Sequence, residues 1–239
     1  MSESRTAADG LRERFTNIQV RITEALKRSN RPLDDVTLIA ISKTHPAKVI
    51  SDVIGFGATD VGENRVQEAE EKIPIVGRTN VRWHLVGHLQ ANKARRAVKL
   101  FDVIHSLDSI ELARRLNRLC EEEGTERLSV LIQVDLGQEE SKAGVAEEQL
   151  DELAAQVAQC DRLKLSGLMT LPPFFDDPED ARPFFRRLAE LRDQLSANGF
   201  FKTRRGELSM GMTHDFEIAI EEGATIVRVG TAIFGERVQ

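Results

Sequence analysis

The 239-residue sequence lacks several features that identify particular classes of protein. It contains no tyrosine, which excludes a phenolic side chain as a catalytic base. Its first twenty residues hold no continuous apolar stretch, so we expect neither a secretory signal nor a membrane span there, and we expect a cytoplasmic location. The two cysteines, Cys120 and Cys160, have no CxxC partner and no neighbouring histidine, which favours buried, reduced thiols over a metal or redox site.

The charge balance argues against nucleic acid and membrane partners. The formal net charge is −6, and 41% hydrophobic with 30% charged residues is an ordinary balance for a folded domain. Two clusters are basic: Lys93, Arg95, Arg96 and Lys99, then Lys202, Arg204 and Arg205. Apolar or turn residues interrupt both clusters, so we expect solvated faces. The alternative is a nucleic-acid-binding module that uses the first cluster and binds in a salt-dependent manner.

The hydrophobic pattern predicts an α/β fold. An apolar face at helical spacing predicts a helix before the first strand, formed by Leu11, Phe15, Ile18, Ile22 and Leu26. Eight strand-like runs then alternate with helix-like stretches, at residues 37–42, 59–62, 82–87, 102–106, 129–135, 163–169, 207–211 and 225–230. Alternation implies parallel strands, and eight units of this length favour a closed (β/α)₈ TIM barrel over a doubly wound open sheet. No strand is followed by a GxGxxG or Walker-type loop, which also favours the barrel.

The chain organisation predicts a single domain over 1–239, with 1–30 as an N-terminal helical extension. No segment has the composition of a linker. The proline-bearing segment 171–178 is short, and we predict an extended loop there, after the sixth strand and before a helix over 179–195.

Lys43 is the first candidate for chemistry. It follows the apolar run LIAIS, and functional residues of such barrels lie at the C-terminal ends of the strands. An unpaired charge in apolar surroundings is costly, so Lys43 either reaches solvent or carries a free amine that can attack an aldehyde. The last two strands favour the second reading, because Ser209 and Thr213 bracket Gly211 after strand seven and Gly230 precedes a short helical end after strand eight. Loops at these two places commonly build a phosphate site.

Period-two geometry places Arg228 inside the barrel. In TIVRVG, Val227 and Val229 share one face of the strand, and Arg228 shares the other face with Gly230. If the valines pack against the helices, the guanidinium points inward, where it needs an anion or a ring acceptor.

Other polar residues near strand ends have two readings each. A place at the same mouth competes with helix capping or with packing in the barrel interior. These residues are Glu63, Asn64, His84, His88, Gln90 and Asn92. Lys142, in ESKAG after strand five, either holds a second anion or is simply exposed.

Seven segments, in this order, resemble the motifs of one protein family. They are AISKTHP around Lys43, GENRVQE around Asn64, WHLVGHLQANK from Trp83, ESKAGV from Glu140, GLMT from Gly167, LSMGMTHDFEIAI from Leu208 and VRVGTAIFG from Val227. The sequence thus resembles the pyridoxal phosphate homeostasis proteins, the YggS/PROSC family, whose fold is similar to the N-terminal barrel of alanine racemase. The resemblance spans nearly the whole chain.

The resemblance implies a site for pyridoxal 5'-phosphate (PLP), the vitamin B6 cofactor. It implies that Lys43 forms the internal aldimine, a Schiff base, that Arg228 faces the pyridine nitrogen and that Asn64 borders the cofactor. The phosphate would be held by hydroxyl and backbone N–H groups of Ser209, Met210, Gly211, Thr213, Gly230 and Thr231. Two positions depart from the family pattern: Thr213 stands where serine is more common, and Arg65 stands where many relatives have tyrosine.

The implied chemistry is binding without catalytic turnover. A cation beside the ring nitrogen disfavours its protonation and weakens the cofactor as an electron sink. Racemases with this barrel add a tyrosine base from a second domain of a partner subunit. This sequence has no tyrosine, and we expect no second domain after the eighth unit. A racemase of the usual design is therefore not expected.

The resemblance implies a PLP-binding protein that stores, buffers or delivers the cofactor. Its partners would be PLP and the PLP-dependent apoenzymes that receive it, and we expect a monomer. The alternative is a low-activity racemase or other PLP-dependent enzyme, in which Lys43 and either His84 or a water exchange the Cα proton of the substrate. Deuterium at Cα of alanine after incubation in heavy water, lost on Lys43→Ala, would indicate that enzyme.

Overall fold

The computed structural model describes residues 2–137, 143–201 and 205–235, with side chains described from residue 8 onward. Eight parallel strands form a closed barrel in chain order, and the last strand pairs with the first. The strands are β1 Thr37–Ile41, β2 Asp60–Glu63, β3 Arg82–Leu85, β4 Val103–Leu107, β5 Leu128–Gln133, β6 Leu163–Met169, β7 Glu207–Ser209 and β8 Ile226–Val229. The predicted (β/α)₈ barrel is confirmed, and the open sheet is excluded.

Helices surround the barrel in the described part of the chain. They are α1 Ser2–Arg28, α2 Ala47–Gly55, α3 Val66–Val76, α4 Ala94–Leu100, α5 Ile110–Glu122, α6 Leu150–Ala158, α7 Arg182–Ala197, α8 Phe216–Glu221 and α9 Thr231–Phe234. Short 3₁₀ turns precede α4, α6 and α7 at Ala91–Lys93, Glu147–Gln149 and Pro178–Ala181. None of these helices combines the length and the apolar character that a membrane crossing requires.

The N-terminal helix packs against the last units of the barrel. Its predicted apolar face is buried, and α1 contacts α8 and α9. Arg21 forms two hydrogen bonds with Glu217 of α8, at 2.7 and 2.9 Å, and Arg14 donates to the carbonyl of Ile233 in α9 at 2.8 Å. The first helix thus covers the seam at which the barrel closes.

Strand faces alternate as the sequence predicts. Val227 and Val229 pack with the outer apolar layer between strands and helices, whereas Arg228 points into the barrel. A second, smaller apolar cluster fills part of the interior and includes Ile39 and Met169. The inward position predicted for Arg228 is confirmed.

Several predicted strand boundaries differ from the observed ones by one or two residues, and two corrections have a clear physical cause. The strand expected over 207–211 ends at Ser209, because Gly211 has a φ of 89° and turns the chain. The helix expected over 179–195 begins as a 3₁₀ turn and becomes α-helical only at Arg182. Asp177 starts that turn by accepting a hydrogen bond from the Glu179 N–H at 3.0 Å.

The cysteines are buried, as predicted. Burial raises the pKa of Cys120 to about 11 and also raises the pKa of Cys160. A thiol with a raised pKa is a poor nucleophile and a poor metal ligand. Among the described residues no group of histidine, cysteine and carboxylate side chains could hold a metal ion.

Candidate functional site

A cavity of about 500 Å³ lies at the C-terminal end of the barrel strands. It brings together six of the nine residues predicted to bind the cofactor: Lys43, Asn64, Thr213, Arg228, Gly230 and Thr231. The segment 171–175 after β6 forms an apolar wall, with further contributions from Val86 and Met212. Charged and hydroxyl groups at one side and apolar surface at the other make a site suited to a small molecule with an anionic end.

Lys43 lies immediately after β1 and is half-buried in the cavity wall. Within the described part of the chain its amine has no hydrogen-bond or ion-pair partner. The next residue, Thr44, has a φ of 67°, a left-handed conformation that is strained for a β-branched residue. Its N–H donates to Glu68 at 2.7 Å, which holds this backbone in place. The amine is thus presented by a tightly fixed main chain.

A buried ionic cluster lies behind Lys43. The Lys72 amine donates to the carbonyl of Ser42 at 2.9 Å, to Glu63 at 2.8 Å and to Glu68 at 2.9 Å. The Ser42 hydroxyl also donates to Glu63, at 2.6 Å. These bonds hold both residues that flank Lys43.

The pKa values of the two carboxylates in this cluster shift in opposite directions. Burial raises the pKa of Glu63, although hydrogen bonds from Lys72 and Ser42 oppose the shift. Burial also acts on Glu68, but hydrogen bonds from Lys72 and the Thr44 N–H prevail and lower its pKa. Glu63 Oε2 is buried and has no partner among the described residues, so Lys72 is the cation on which this carboxylate depends.

Arg228 is buried at the base of the cavity. Its guanidinium donates to Ser209 Oγ at 2.6 Å and to the carbonyl of Thr170 at 2.9 Å. Burial lowers the pKa of Arg228 to about 10, while the charge of Asp215 acts in the opposite direction. The guanidinium remains a cation at neutral pH, and no described carboxylate lies within ion-pair distance of it. A buried cation of this kind favours an electron-rich ligand beside it.

Ser209, Met210 and Gly211 lie beneath the cavity rather than in its lining. The Ser209 hydroxyl is fully buried, and the Met210 side chain packs in the outer apolar layer. A Cβ at Gly211 would lie 2.6 Å from the Ala219 Cβ, so this turn accepts only glycine. The direct phosphate contacts predicted for these three residues stay a prediction.

The loops after β7 and β8 meet beside β1. Thr213 Oγ1 accepts a hydrogen bond from the Ala232 N–H at 3.4 Å, which links the two loops. Since β8 pairs with β1, Gly230 and Thr231 face the same cavity as Lys43. The opening therefore has an amine on one side and hydroxyl and N–H groups on the other.

The structure adds wall residues that the sequence reading missed. The segment 171–175 was predicted as a loop but not as part of a site, although its position after β6 at the C-terminal end of the barrel was a usable signal. Phe174 stacks on His214 with ring centroids 5.5 Å apart, and both line the cavity. Gly87 lines it too, and a Cβ there would lie 2.2 Å from the Asn64 carbonyl oxygen.

Several other candidates lie away from the cavity. His88 is exposed and pairs with Asp108 at 3.1 Å, and Gln90 and Asn92 are exposed as well. Of the two readings given for these three residues, the place at the mouth is not the one seen here, because the chain after β3 leads into a 3₁₀ turn and none of the three lines the cavity. His84 lies in the barrel interior, the second reading given for it.

The first basic cluster is largely ion-paired. Arg95 pairs with Glu122 and Glu123, Arg96 lies 2.7 Å from Glu70, and Lys99 lies 2.6 Å from Glu123. This arrangement agrees with a solvated face. In the second cluster Arg205 pairs with Asp193. The predictions for Lys142, Lys202 and Arg204 fall outside the described residues.

The chain thus combines a closed parallel barrel with a lysine that follows the first strand and faces the loops after strands seven and eight. This combination of fold and site defines the class of protein with which the chain can be compared. The sequence model of the family described as "Alanine racemase, N-terminal domain" matches residues 17–238. The chain belongs to this family.

Individual relatives give a more specific comparison than the family model does. The chain is 43% identical over 225 residues to the "Pyridoxal phosphate homeostasis protein" of Aquifex aeolicus (strain VF5), covering 94% of this chain and 97% of that protein. It is 41% identical over 229 residues to the protein of the same name from Escherichia coli (strain K12), covering 93% and 95%. The resemblance inferred from the seven motifs is confirmed.

A solved structure of similar sequence contains a ligand. The structure of PipY from Synechococcus elongatus PCC7942, described as having PLP bound, matches with a TM-score of 0.78 and 39% identity. The match covers 90% of this chain and 100% of that one. Similarity in both sequence and fold therefore extends to a protein with a named ligand.

Proposed function

We propose that this protein binds PLP in the cavity at the C-terminal end of the barrel and serves the cellular homeostasis of the cofactor by storage, buffering or delivery, without catalytic turnover. The observation that carries the proposal is the Lys43 amine, which has no partner among the described residues and faces the loops after β7 and β8 across one cavity. The names of the curated relatives and the ligand of the PipY structure support it.

The residues present fit this cofactor. A volume of about 500 Å³ lies in the usual range for small-ligand sites. Arg228 offers a buried cation for the ring nitrogen, and the apolar segment 171–175 suits the flat ring. The phosphate would be held by Thr213, Gly230 and Thr231 at the cavity wall, with Ser209, Met210 and Gly211 beneath them. Asn64 borders the cofactor from β2.

Lys43 is the proposed point of covalent attachment. Its amine attacks the aldehyde carbon, and loss of one water molecule leaves an imine. Lys43 suits this step because its amine is half-buried and has no described carboxylate or carbonyl partner that would hold its proton. The strained Thr44 and the Lys72 cluster fix the backbone from which the amine projects.

The proposal of binding without turnover depends on Arg228 and on the absence of tyrosine. A guanidinium at the ring nitrogen keeps that nitrogen unprotonated, which disfavours carbanion chemistry on the substrate. No tyrosine is available as a second base. We further propose that 1–239 acts as one cytoplasmic PLP-binding domain, with 1–30 as a helical extension, that it is a monomer, and that apoenzymes are the recipients of the cofactor.

Absorbance spectroscopy with two matched variants tests the proposal. Wild-type protein incubated with PLP should show the absorbance band of a lysine imine, at about 420 nm, and borohydride reduction should remove this band. The cofactor mass should then be found on the Lys43 peptide. Lys43→Ala should abolish the band, whereas Lys48→Ala should keep it, because Lys48 is exposed on α2 and pairs with Asp52.

Two results would count against the proposal. If wild-type protein in excess PLP does not show this absorbance band, the binding claim fails. If Lys43→Ala still shows the band, Lys43 is not the attachment site. Turnover is tested separately by incubation with L- and D-alanine in deuterated water. Deuterium at Cα that depends on Lys43 would replace homeostasis by an enzymatic function.

A further inference from the structure

An unbroken chain of hydrogen bonds crosses the barrel interior from β2 to β8. Asp60 Oδ1 lies 2.8 Å from His84 Nε2, and His84 Nδ1 lies 2.9 Å from His105 Nε2. His105 Nδ1 lies 2.9 Å from Ser209 Oγ, which accepts from Arg228 at 2.6 Å. We call these five residues the interior chain. It begins at the N-terminal end of β2 and ends at the base of the proposed cofactor cavity.

The interior of such a barrel is normally filled by branched apolar side chains. Here Ile39, Ile41, Leu131 and Met169 provide only part of that filling. All five members of the interior chain are buried. Burial of a polar group costs free energy unless its bonds are satisfied, so a polar interior of this extent is not a neutral choice for packing. The interior chain therefore points to a role that apolar residues could not serve.

The donors and acceptors of the interior chain run in one direction. Arg228 can only donate, and the Asp60 carboxylate can only accept. With both histidines neutral, Ser209 donates to His105 Nδ1, His105 donates through Nε2 to His84, and His84 donates through Nε2 to Asp60. Burial, together with the nearby charge of Arg228, holds the pKa of His105 well below its usual value, which agrees with a neutral His105 ring. Hydrogen bonds from His84 and Thr59 outweigh burial and lower the pKa of Asp60, which keeps it ionised.

In this order the Ser209 hydroxyl both donates and accepts a hydrogen bond. Its hydrogen goes to His105, so its oxygen lone pairs are directed at Arg228. Arg228 has a second anchor in the Thr170 carbonyl at 2.9 Å. Two fixed anchors set the plane of the guanidinium and leave its remaining N–H groups to face the cavity.

We propose that Asp60, His84 and His105 are positioning residues that act through Ser209 to hold Arg228 in the orientation required by the ligand of the cavity. The inference rests on the proposed function, because it assigns these three residues to the same cofactor site. None of them lines that cavity. Their contribution is to direct the Ser209 hydroxyl hydrogen to His105, so that the Ser209 oxygen accepts from Arg228.

Substitution of His105 by the two side-chain amides separates positioning from packing. Asparagine places a polar atom where Nδ1 of histidine lies, so His105→Asn keeps an acceptor for Ser209. Glutamine places its polar atoms near the position of Nε2, so His105→Gln keeps a partner for His84 but leaves Ser209 without one. The two variants carry the same functional group in the same buried site.

The experiment measures PLP affinity by absorbance titration and the unfolding of the cofactor-free protein by urea. We expect His105→Gln and His105→Leu to weaken PLP binding about tenfold, which is of the order of the loss of one hydrogen bond. His105→Asn should stay within about threefold of wild type. Packing alone predicts the opposite order, because leucine fills the site and asparagine leaves a gap. If leucine prevents folding, the two amides still provide the comparison.

A double-mutant cycle then tests whether the effect passes through Arg228. In an Arg228→Lys background, which loses the paired anchors, His105→Gln should change affinity less than twofold. A full tenfold effect in that background, or equal affinity of the Asn and Gln variants, would overturn the inference while wild-type binding stands. Absence of PLP binding by the wild type would overturn the proposed function, and this inference with it.

Discussion

Removal of the Lys72 amine is the most informative perturbation of the region behind Lys43. Lys72→Met keeps a side chain of similar length and removes three hydrogen bonds, to the Ser42 carbonyl, Glu63 and Glu68. Glu68 is partly exposed and can be solvated, but Glu63 is fully buried, and one of its oxygens has no partner in the described part of the chain. The substitution therefore leaves an uncompensated buried carboxylate.

The expected magnitude follows from that carboxylate. Breaking a buried ion pair by removal of one partner costs about 3–5 kcal/mol, and we expect the lower end because Glu68 is re-solvated. For a domain of this size that corresponds to a decrease in Tm of roughly 10 °C. Urea unfolding monitored by circular dichroism measures it. Lys48→Met is the matched control: its pair with Asp52 is exposed, so the change should stay below about 0.5 kcal/mol.

The pH dependence of this loss has a defined sign. Without Lys72 the pKa of Glu63 in the folded state rises further above its unfolded value, so the folded protein binds that proton more tightly. The penalty is present at neutral pH and above, and it shrinks as the pH falls through the folded-state pKa. Glu63→Gln should relieve it in the double variant Lys72→Met/Glu63→Gln. A loss under about 1 kcal/mol, or further destabilisation by the added glutamine, would refute this account.

Three further outcomes are expected. Gly211→Ala should lower the unfolding free energy by about 2 kcal/mol or more, measured by urea titration, because it combines a φ of 89° with a contact of 2.6 Å to the Ala219 Cβ. Asp60 has a lowered pKa in the folded state, so the stability that its carboxylate contributes is present above its unfolded pKa near 3.8 and is lost as the pH falls through the folded-state pKa. Asp60→Asn should therefore reduce the decrease in unfolding free energy between neutral and low pH, measured by unfolding titrations at a series of pH values. Cys120 and Cys160 should react with a thiol reagent only after denaturation, since both are buried and have raised pKa values; rapid labelling of the native protein would contradict this.

Much of the fold could be predicted from the sequence because each strand carries a local signal. Strand β6 was predicted at its observed bounds, Leu163–Met169, and β7 was misjudged only where Gly211 turns the chain. Period-two alternation around Val227 and Val229 was sufficient to place Arg228 inside. Such predictions depend on neighbours in the sequence, which periodicity reports directly.

The interior chain could not be predicted in the same way. His105 and Ser209 come from β4 and β7, which are not neighbours in the barrel, and they meet because of strand stagger and tilt. No local pattern fixes those quantities. His84 was therefore assigned two readings, and the structure distinguishes them by supplying the partners on both sides of its ring.

The pairing of β8 with β1 has a consequence for biosynthesis. Lys43 and Arg228 are far apart in the sequence but share one cavity only after the eighth strand has docked on the first. A nascent or truncated polypeptide that lacks β8 therefore exposes its amine without the opposing half of the pocket. A small molecule that contacts both residues binds only protein in which all eight strands are in place. Because it binds the closed barrel and not the open one, it stabilises the pairing of β8 with β1 by mass action.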